Sequence, residues 1–238
     1  MRLLLISNGN DTERGYLGHA RPQLDELLSD ARNVVFVPYA MVTRSFDDYT
    51  ELVARALGAH RSVVGLHSCA EPQQAVSDAE ALLVGGGNTW QLLRTLRDLD
   101  LIDTIRDAAR DGTPYAGWSA GANVACPTIS TTNDMSIVDP RGTDALGLVP
   151  FQINPHFTHA MPDGFNGETR EQRIVEYLTV NRDVTVAGLR EGTMLRITDD
   201  RVDLLGDAPC RVFSPDADRI TIDEVEPGDD LTQLGPVR

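Results

Sequence analysis

Short apolar runs alternate with longer amphipathic stretches along most of this chain. Leu3–Ser7, Val34–Pro38, Ser62–Leu66, Ala81–Val84, Tyr115–Gly117 and Val184–Leu189 read as strands. Gln23–Leu28, Asp47–Leu57, Trp90–Leu99 and Ile102–Ala109 repeat apolar residues at helical spacing. Apolar strands separated by helices predict an α/β fold, with a mostly parallel sheet covered by helices on both faces. Ligands of such sheets bind beyond the carboxyl ends of strands. From Thr193 the pattern changes. Thr193–Thr198, Arg201–Leu205 and Arg211–Pro215 are short alternating runs between polar turns, as expected of C-terminal antiparallel strands. The stretch after about residue 226 is polar and is expected to be loose. There is no internal repeat, and residues 1–238 are expected to form a single α/β domain.

One turn in this pattern carries chemistry. Gly117-Trp118-Ser119-Ala120-Gly121 has the form Gly-x-Ser-x-Gly, follows the apolar Pro114-Tyr115-Ala116 and leads into a small-residue stretch able to open a helix, Ala120 to Ala125. A nucleophile elbow needs that context. The glycines permit a tight turn, and the helix start offers free N–H groups to a developing oxyanion. A Gly-rich turn with an incidental serine would look the same in isolation. A second turn, Gly85-Gly86-Gly87-Asn88-Thr89, lies between the strand Ala81–Val84 and the helix from Trp90. Asn88 or Thr89 can cap that helix. The run has neither the spacing of a dinucleotide fingerprint nor a P-loop lysine. A backbone donor facing Ser119 is the alternative, and a plain tight turn the bland one.

Composition narrows the chemistry. All 21 basic residues are arginine. Without lysine there is no Schiff base, no pyridoxal phosphate attachment and no Ser–Lys dyad. A serine nucleophile must therefore find a histidine. The net charge of -15 makes nucleic acid and anionic membranes poor partners and repels acidic substrates at long range. Accepting one requires a local arginine. The three cysteines are far apart, with no zinc or disulfide spacing, and read as small buried hydrophobes. No apolar run is long enough to span a membrane. The apolar start is too short for a signal peptide, so a cytoplasmic location is expected.

Five histidines compete for the role of base. His19, His60 and His67 sit in polar or turn-like surroundings and read as surface or structural residues. His156 ends a short apolar run, in Ile153-Asn154-Pro155-His156-Phe157, where the proline stiffens the approach. His156 is preferred over its neighbour His159. An acid must then orient the imidazole. Glu191 follows the strand Val184–Leu189, and Asp134 lies in the polar loop after the elbow helix; each also reads as an ordinary turn residue. Gly167–Arg173 opens a helix reaching about Val180, with Thr169 and Gln172 spaced as a capping box. Arg170 or Arg173 could meet a substrate carboxylate.

Taken together, GGGNT (85–89), GWSAGAN (117–123), ACPTI (125–129), TTNDM (131–135), VDP (138–140), QINPHF (152–157) and GETREQR (167–173) resemble the peptidase E family of aspartyl dipeptidases. The resemblance runs from the first strand to about Gly206. It implies a fold similar to class I glutamine amidotransferases, with serine replacing their cysteine nucleophile. It implies hydrolysis of dipeptides with N-terminal aspartate, without metal or cofactor. On this resemblance Ser119 is the nucleophile, His156 the base, and Glu191 or Asp134 the third member. The backbone N–H groups of Gly87 and Ala120 match the oxyanion hole. Arg170 and Asn88 match substrate-binding positions. The expected partner is a small Asp-Xaa peptide; a homodimer is compatible with the sequence, which leaves the oligomeric state open. Two rivals remain. An α/β-hydrolase esterase expects the order Ser, acid, His with a late histidine, and no histidine follows residue 159. A nucleotide-binding module would use Gly85–Thr89 and leave Ser119 without a purpose.

Overall fold

Seven strands make the central sheet of the computed structural model, which describes residues 1–161, 163–164, 166–231 and 234–235. They are β1 (Arg2–Ile6), β2 (Asn33–Val37), β3 (Ser62–Gly65), β4 (Ala81–Val84), β5 (Tyr115–Trp118), β8 (Met194–Thr198) and β9 (Arg201–Leu205). Their order is β3-β2-β4-β5-β1-β8-β9. The five strands from β3 to β1 are parallel, and β8 and β9 complete the sheet antiparallel. The expected architecture is therefore present.

Period-two alternation explains why the sheet is covered twice. Leu3 and Leu5, Val35 and Val37, and Leu82 and Val84 point to one core. They meet α3 (Pro72–Ser77), α4 (Thr89–Asp98), α5 (Leu101–Arg110) and α6 (Ala120–Val124) there. Leu4 and Ile6, Val34 and Phe36, and Ala81 and Leu83 point the other way. They pack against α1 (Arg21–Leu27) and α2 (Phe46–Leu57). Ser45 caps α2 by accepting from the Asp48 N–H at 3.1 Å.

A second sheet of four strands holds β6 (Gln152–Asn154), β7 (Val186–Gly188), β10 (Cys210–Asp216) and β11 (Arg219–Val225), in the order β11-β10-β7-β6. The run Val184–Leu189 thus belongs here, with only its middle in a strand. Its pairing is parallel to β6 and antiparallel to β10. Apolar content signals a buried strand but not its sheet. The helix α7 (Arg170–Val180) covers this sheet through Ile174 and Leu178, packed with Phe157, Val186 and Phe213. The capping box at its start is formed as expected: Thr169 Oγ1 accepts from Gln172 N–H at 3.1 Å, and Gln172 Oε1 accepts from Thr169 N–H at 2.8 Å.

Two elements are additions to the sequence reading. α3 is a single short helix after Pro72, too brief for a periodic signal. β11 is half polar and, among the described residues, pairs only with β10. The stretch beyond Glu226 is not loose where it is described. The N–H groups of Gly228 and Leu231 donate to Leu204 and Val202, and Leu231 and Leu234 are buried. Two apolar side chains four positions or fewer apart were enough to anchor it.

Candidate active site

β5 ends at Trp118 and α6 begins at Ala120, so Ser119 alone makes the turn. Its backbone lies at φ 52°, ψ −110°, a conformation that costs a non-glycine residue about 1–3 kcal/mol. The surroundings impose it. The Ser119 N–H donates to the Ile6 carbonyl at 3.0 Å, and the Ser119 carbonyl accepts from Ala122 and Asn123 at 3.0 and 2.9 Å. Gly121 lets α6 start this close to the sheet, since a Cβ there would strike the Val84 carbonyl.

Register brings three strand ends to the same edge. Val84 is level with Gly117, and Ile6 with Trp118. The turn after β4 and the turn after β1 therefore flank Ser119. Gly86 packs so closely that a Cβ on it would lie 3.1 Å from Ser119 Cβ. Gly87, at φ 143°, must be glycine because a Cβ would strike the Ala40 carbonyl. Among the described residues the N–H groups of Gly87 and Ala120 have no protein acceptor.

From the other side comes His156, itself in the left-handed region at φ 54°. Its Nε2 is 3.0 Å from Ser119 Oγ, and its Nδ1 is 2.7 Å from Glu191 Oε1. A carboxylate can only accept, so Nδ1 carries the hydrogen and the Nε2 lone pair faces the serine. The strained backbone is pinned by Ser7, at the end of β1. Its buried hydroxyl accepts from His156 N–H at 2.9 Å and donates to the Leu189 carbonyl at 2.8 Å. Asn133 Nδ2 donates to the Pro155 carbonyl at 2.6 Å. The next residue, Asn8, accepts from the Gly192 N–H at 2.8 Å and so holds the Glu191 turn. Ser7 and Asn8 escaped the sequence reading. Their only signal is a pair of small polar residues directly after the first apolar strand.

Asp134 is elsewhere. Its Oδ2 accepts from Thr89 N–H, Thr89 Oγ1 and Thr132 Oγ1, at 2.7, 2.6 and 3.2 Å, and its carbonyl accepts from Trp90 Nε1 at 3.1 Å. It clamps the start of α4, and through it the glycine turn, and makes no hydrogen bond to His156. Asn88 is likewise engaged. Its Oδ1 caps α4 by accepting from Gln91 N–H at 3.1 Å, and its Nδ2 donates to the Met135 carbonyl at 2.9 Å. One amide hydrogen is left for a substrate. Beneath the turn, Tyr49 donates to the Gly86 carbonyl at 3.0 Å. Tyr49 has one hydrogen, so Tyr16 donates in the 2.8 Å pair between the two hydroxyls. Trp118 Nε1 donates to both, at 2.8 and 3.1 Å. Burial pushes the Tyr16 phenol up and the Tyr49 phenol up to about 12, so this floor stays neutral.

Arg170 is the first residue of α7 and is half-buried. It lines a recess of ≈ 640 Å³ together with His156 and Glu191, and an adjoining one of ≈ 590 Å³ with Asp134 and Asn133. Burial foremost, then the Arg173 charge, lower its pKa, while Glu191 opposes them; the guanidinium remains a cation. None of the other histidines hydrogen-bonds Ser119 among the described residues, although His159 lines the recess shared by His156, Glu191 and Arg170. His67 meets Asp47 at 2.9 Å, His60 is exposed, and the His159 ring stands edge-on to Phe157. His19 is buried, with Asp11 at 3.7 Å and both ring nitrogens unpartnered among the described residues. The cysteines are all free; Cys126 and Cys210 are buried and Cys69 half-buried. No three His, Cys, Asp or Glu among the described residues are arranged to hold a metal ion, and no described helix is long and apolar enough to cross a membrane.

The sequence profile of peptidase family S51 matches residues 3–205. The chain belongs to peptidase family S51. This S51 chain is 49% identical over 224 residues to peptidase E of Citrobacter koseri, covering 94% of this chain and 98% of that one. Peptidase E of Shigella flexneri is 48% identical over the same shares. The S51 fold is also seen in a solved peptidase from an acI-B1 Actinobacterium, at TM-score 0.68 and 20% identity, covering 97% of this chain and 96% of that one. A putative peptidase E from Listeria monocytogenes superposes at TM-score 0.64 and 21% identity, covering 87% and 98%. The S51 chain described here is accordingly a peptidase, and so a hydrolase.

Proposed function

We propose that this peptidase is a serine-type dipeptidase that removes N-terminal aspartate from Asp-Xaa. The single observation carrying the reading is the Ser119–His156–Glu191 chain of contacts at 3.0 and 2.7 Å, set beside two free backbone donors. His156 takes the Ser119 proton as Oγ attacks the scissile carbonyl. The oxyanion is met by the N–H groups of Gly87 and Ala120, a single such donor being worth about 100- to 1000-fold in other acyl-transfer enzymes. His156 returns the proton to the leaving amine, and water activated by the same nitrogen then releases aspartate. Glu191 is the third member; Asp134 acts on the glycine turn. Arg170 receives the aspartate side chain, offsetting locally the repulsion of a molecule with net charge -15. No step in this reading calls for a cofactor, and a cytoplasmic location belongs to the same proposal.

The deciding experiment compares hydrolysis of Asp-Leu, Glu-Leu, Leu-Leu and a p-nitrophenyl ester by the parent and Ser119→Ala. Cleavage of Asp-Leu alone, lost by about 10⁴-fold or more in Ser119→Ala, is the expected result. Ester hydrolysis without Asp-Leu hydrolysis would instead favour an esterase using the same elbow.

A further inference from the structure

Almost every arginine around this cleft is already neutralised. Arg190 pairs with Glu224 at 3.2 Å, Arg14 with Asp11 at 2.8 Å, and Arg173 reaches Glu168 at 4.0 Å. Two that line it have no ion-pair or hydrogen-bond partner among the described residues, Arg170 and Arg44. They line different recesses, which meet at His156, Glu191 and Asp134. Arg170 shares its recesses with His156, Glu191 and Asp134. Arg44 lines a cleft of ≈ 460 Å³ together with Ser119, Gly87 and Tyr16, and His156, Glu191 and Asp134 also border it. Its guanidinium is close enough to Tyr16 and Tyr49 for its charge to favour their ionised forms against burial.

The segment bearing Arg44 is well positioned. It follows β2, and its Ala40 carbonyl accepts from Asn88 N–H at 2.7 Å, so it is tied to the glycine turn. The residue after Arg44, Ser45, is the cap of α2. Arg44 is thus an exposed cation, unpaired among the described residues, on a backbone anchored at both ends; it shares a cleft with Ser119 that Arg170 does not line. An unpaired cation in so acidic a molecule calls for an anion.

A dipeptide cut between its two residues carries two carboxylates, one on either side of the scissile bond. Tyr16, Trp118 and Met41 line the cleft that Ser119 and Arg44 share, and Arg170 is not among its lining residues. We propose that Arg44 binds the free C-terminal carboxylate of the leaving amino acid and so restricts the enzyme to dipeptides. The inference rests on the Asp-Xaa reading of the site. A third residue would move that carboxylate by about 3.3–3.6 Å and leave an uncharged amide opposite the guanidinium. A site built for a charged hydrogen bond discriminates strongly against a ligand lacking it.

The test uses the full chain with Asp-Leu, Asp-Leu-amide and Asp-p-nitroanilide, in the parent, Arg44→Gln and Arg44→Lys. The parent is expected to prefer Asp-Leu over its amide by about 10- to 100-fold in kcat/KM, the range of one charged hydrogen bond, mostly through KM. Arg44→Gln should lose that preference while its rate on Asp-p-nitroanilide stays within about twofold of the parent's, and Arg44→Lys should keep part of it. An Arg44→Gln protein with the parent's preference for the free carboxylate would overturn the inference, as would a parent with no preference. Both results leave Asp-p-nitroanilide cleavage intact, which separates them from failure of the Asp-Xaa reading itself, where none of the three compounds is cut in a Ser119-dependent way.

Discussion

Ser119 and His156 both hold positive φ without being glycine, at 52° and 54°. Neither conformation is preferred by its residue, so the rest of the fold must enforce it. For His156 the enforcing group is a hydroxyl 149 positions away, Ser7. Ser7→Ala removes the acceptor for a buried N–H, which costs about 1–3 kcal/mol, and frees the imidazole. The expected outcome is a lower melting temperature together with a kcat reduced more than KM is raised. Unchanged kcat in a destabilised protein would limit Ser7 to folding. The two candidate acids separate in the same way. Glu191→Gln is expected to lower kcat by about 100- to 10000-fold, the effect of a mis-set imidazole tautomer, with little change in melting temperature because Glu191 is 67% exposed. Asp134→Ala leaves three donors unmatched. It should lower the melting temperature as well as the rate, and steady-state kinetics with calorimetry on both variants would tell the roles apart.

At the level of elements, the longer helices were legible because their signals are local. Thr169 and Gln172 are three apart, and that spacing alone foretold the capping box of α7. Thr169→Ala should cost about 1 kcal/mol, or about 2–4 °C in a chain this long. Arg170 is the next residue, so KM for Asp-Leu should rise while kcat holds; calorimetry and kinetics on one preparation check both. The glycine turn was legible as a turn, but its use was not. That Gly87 presents a free N–H depends on Ala40, Tyr49 and Asp134, from three other parts of the chain. The second sheet was hidden for a similar reason. β6 and β7 are three residues each, below the length at which periodicity says anything.

For the whole molecule the governing quantity is charge. At about 25 Å from the centre of a protein of this size, a net charge of -15 opposes a singly charged anion by about 2 kcal/mol in water before screening. Asp-Leu is such an anion at neutral pH and Asp-Leu-amide is not. The screening length falls from about 30 Å at 0.01 M salt to about 8 Å at 0.15 M. Contacts within the cleft are screened less than this long-range field. Raising salt over that range should therefore increase kcat/KM for Asp-Leu by about 2- to 5-fold and leave the amide nearly unchanged. A fall for Asp-Leu would mean that the arginine contacts, and not the global field, dominate its capture.

Some of this was determined by the sequence alone. Alternation of apolar and helical runs specified a parallel sheet covered on both faces, since each signal is complete within a dozen residues. The Gly-x-Ser-x-Gly turn singled out Ser119 as the candidate nucleophile, and the absence of lysine left histidine as its candidate base. What only the tertiary structure decided is everything carried by pairs of residues far apart in the chain. It placed Glu191 and not Asp134 against His156, gave Asp134 and Asn88 to the glycine turn, brought Ser7 beneath the histidine, and left Arg44 and Arg170 in different recesses without an ion-pair partner among the described residues. Side-chain type limits what a residue can do, but the register of β1, β4 and β5 decides which loops meet at their common edge.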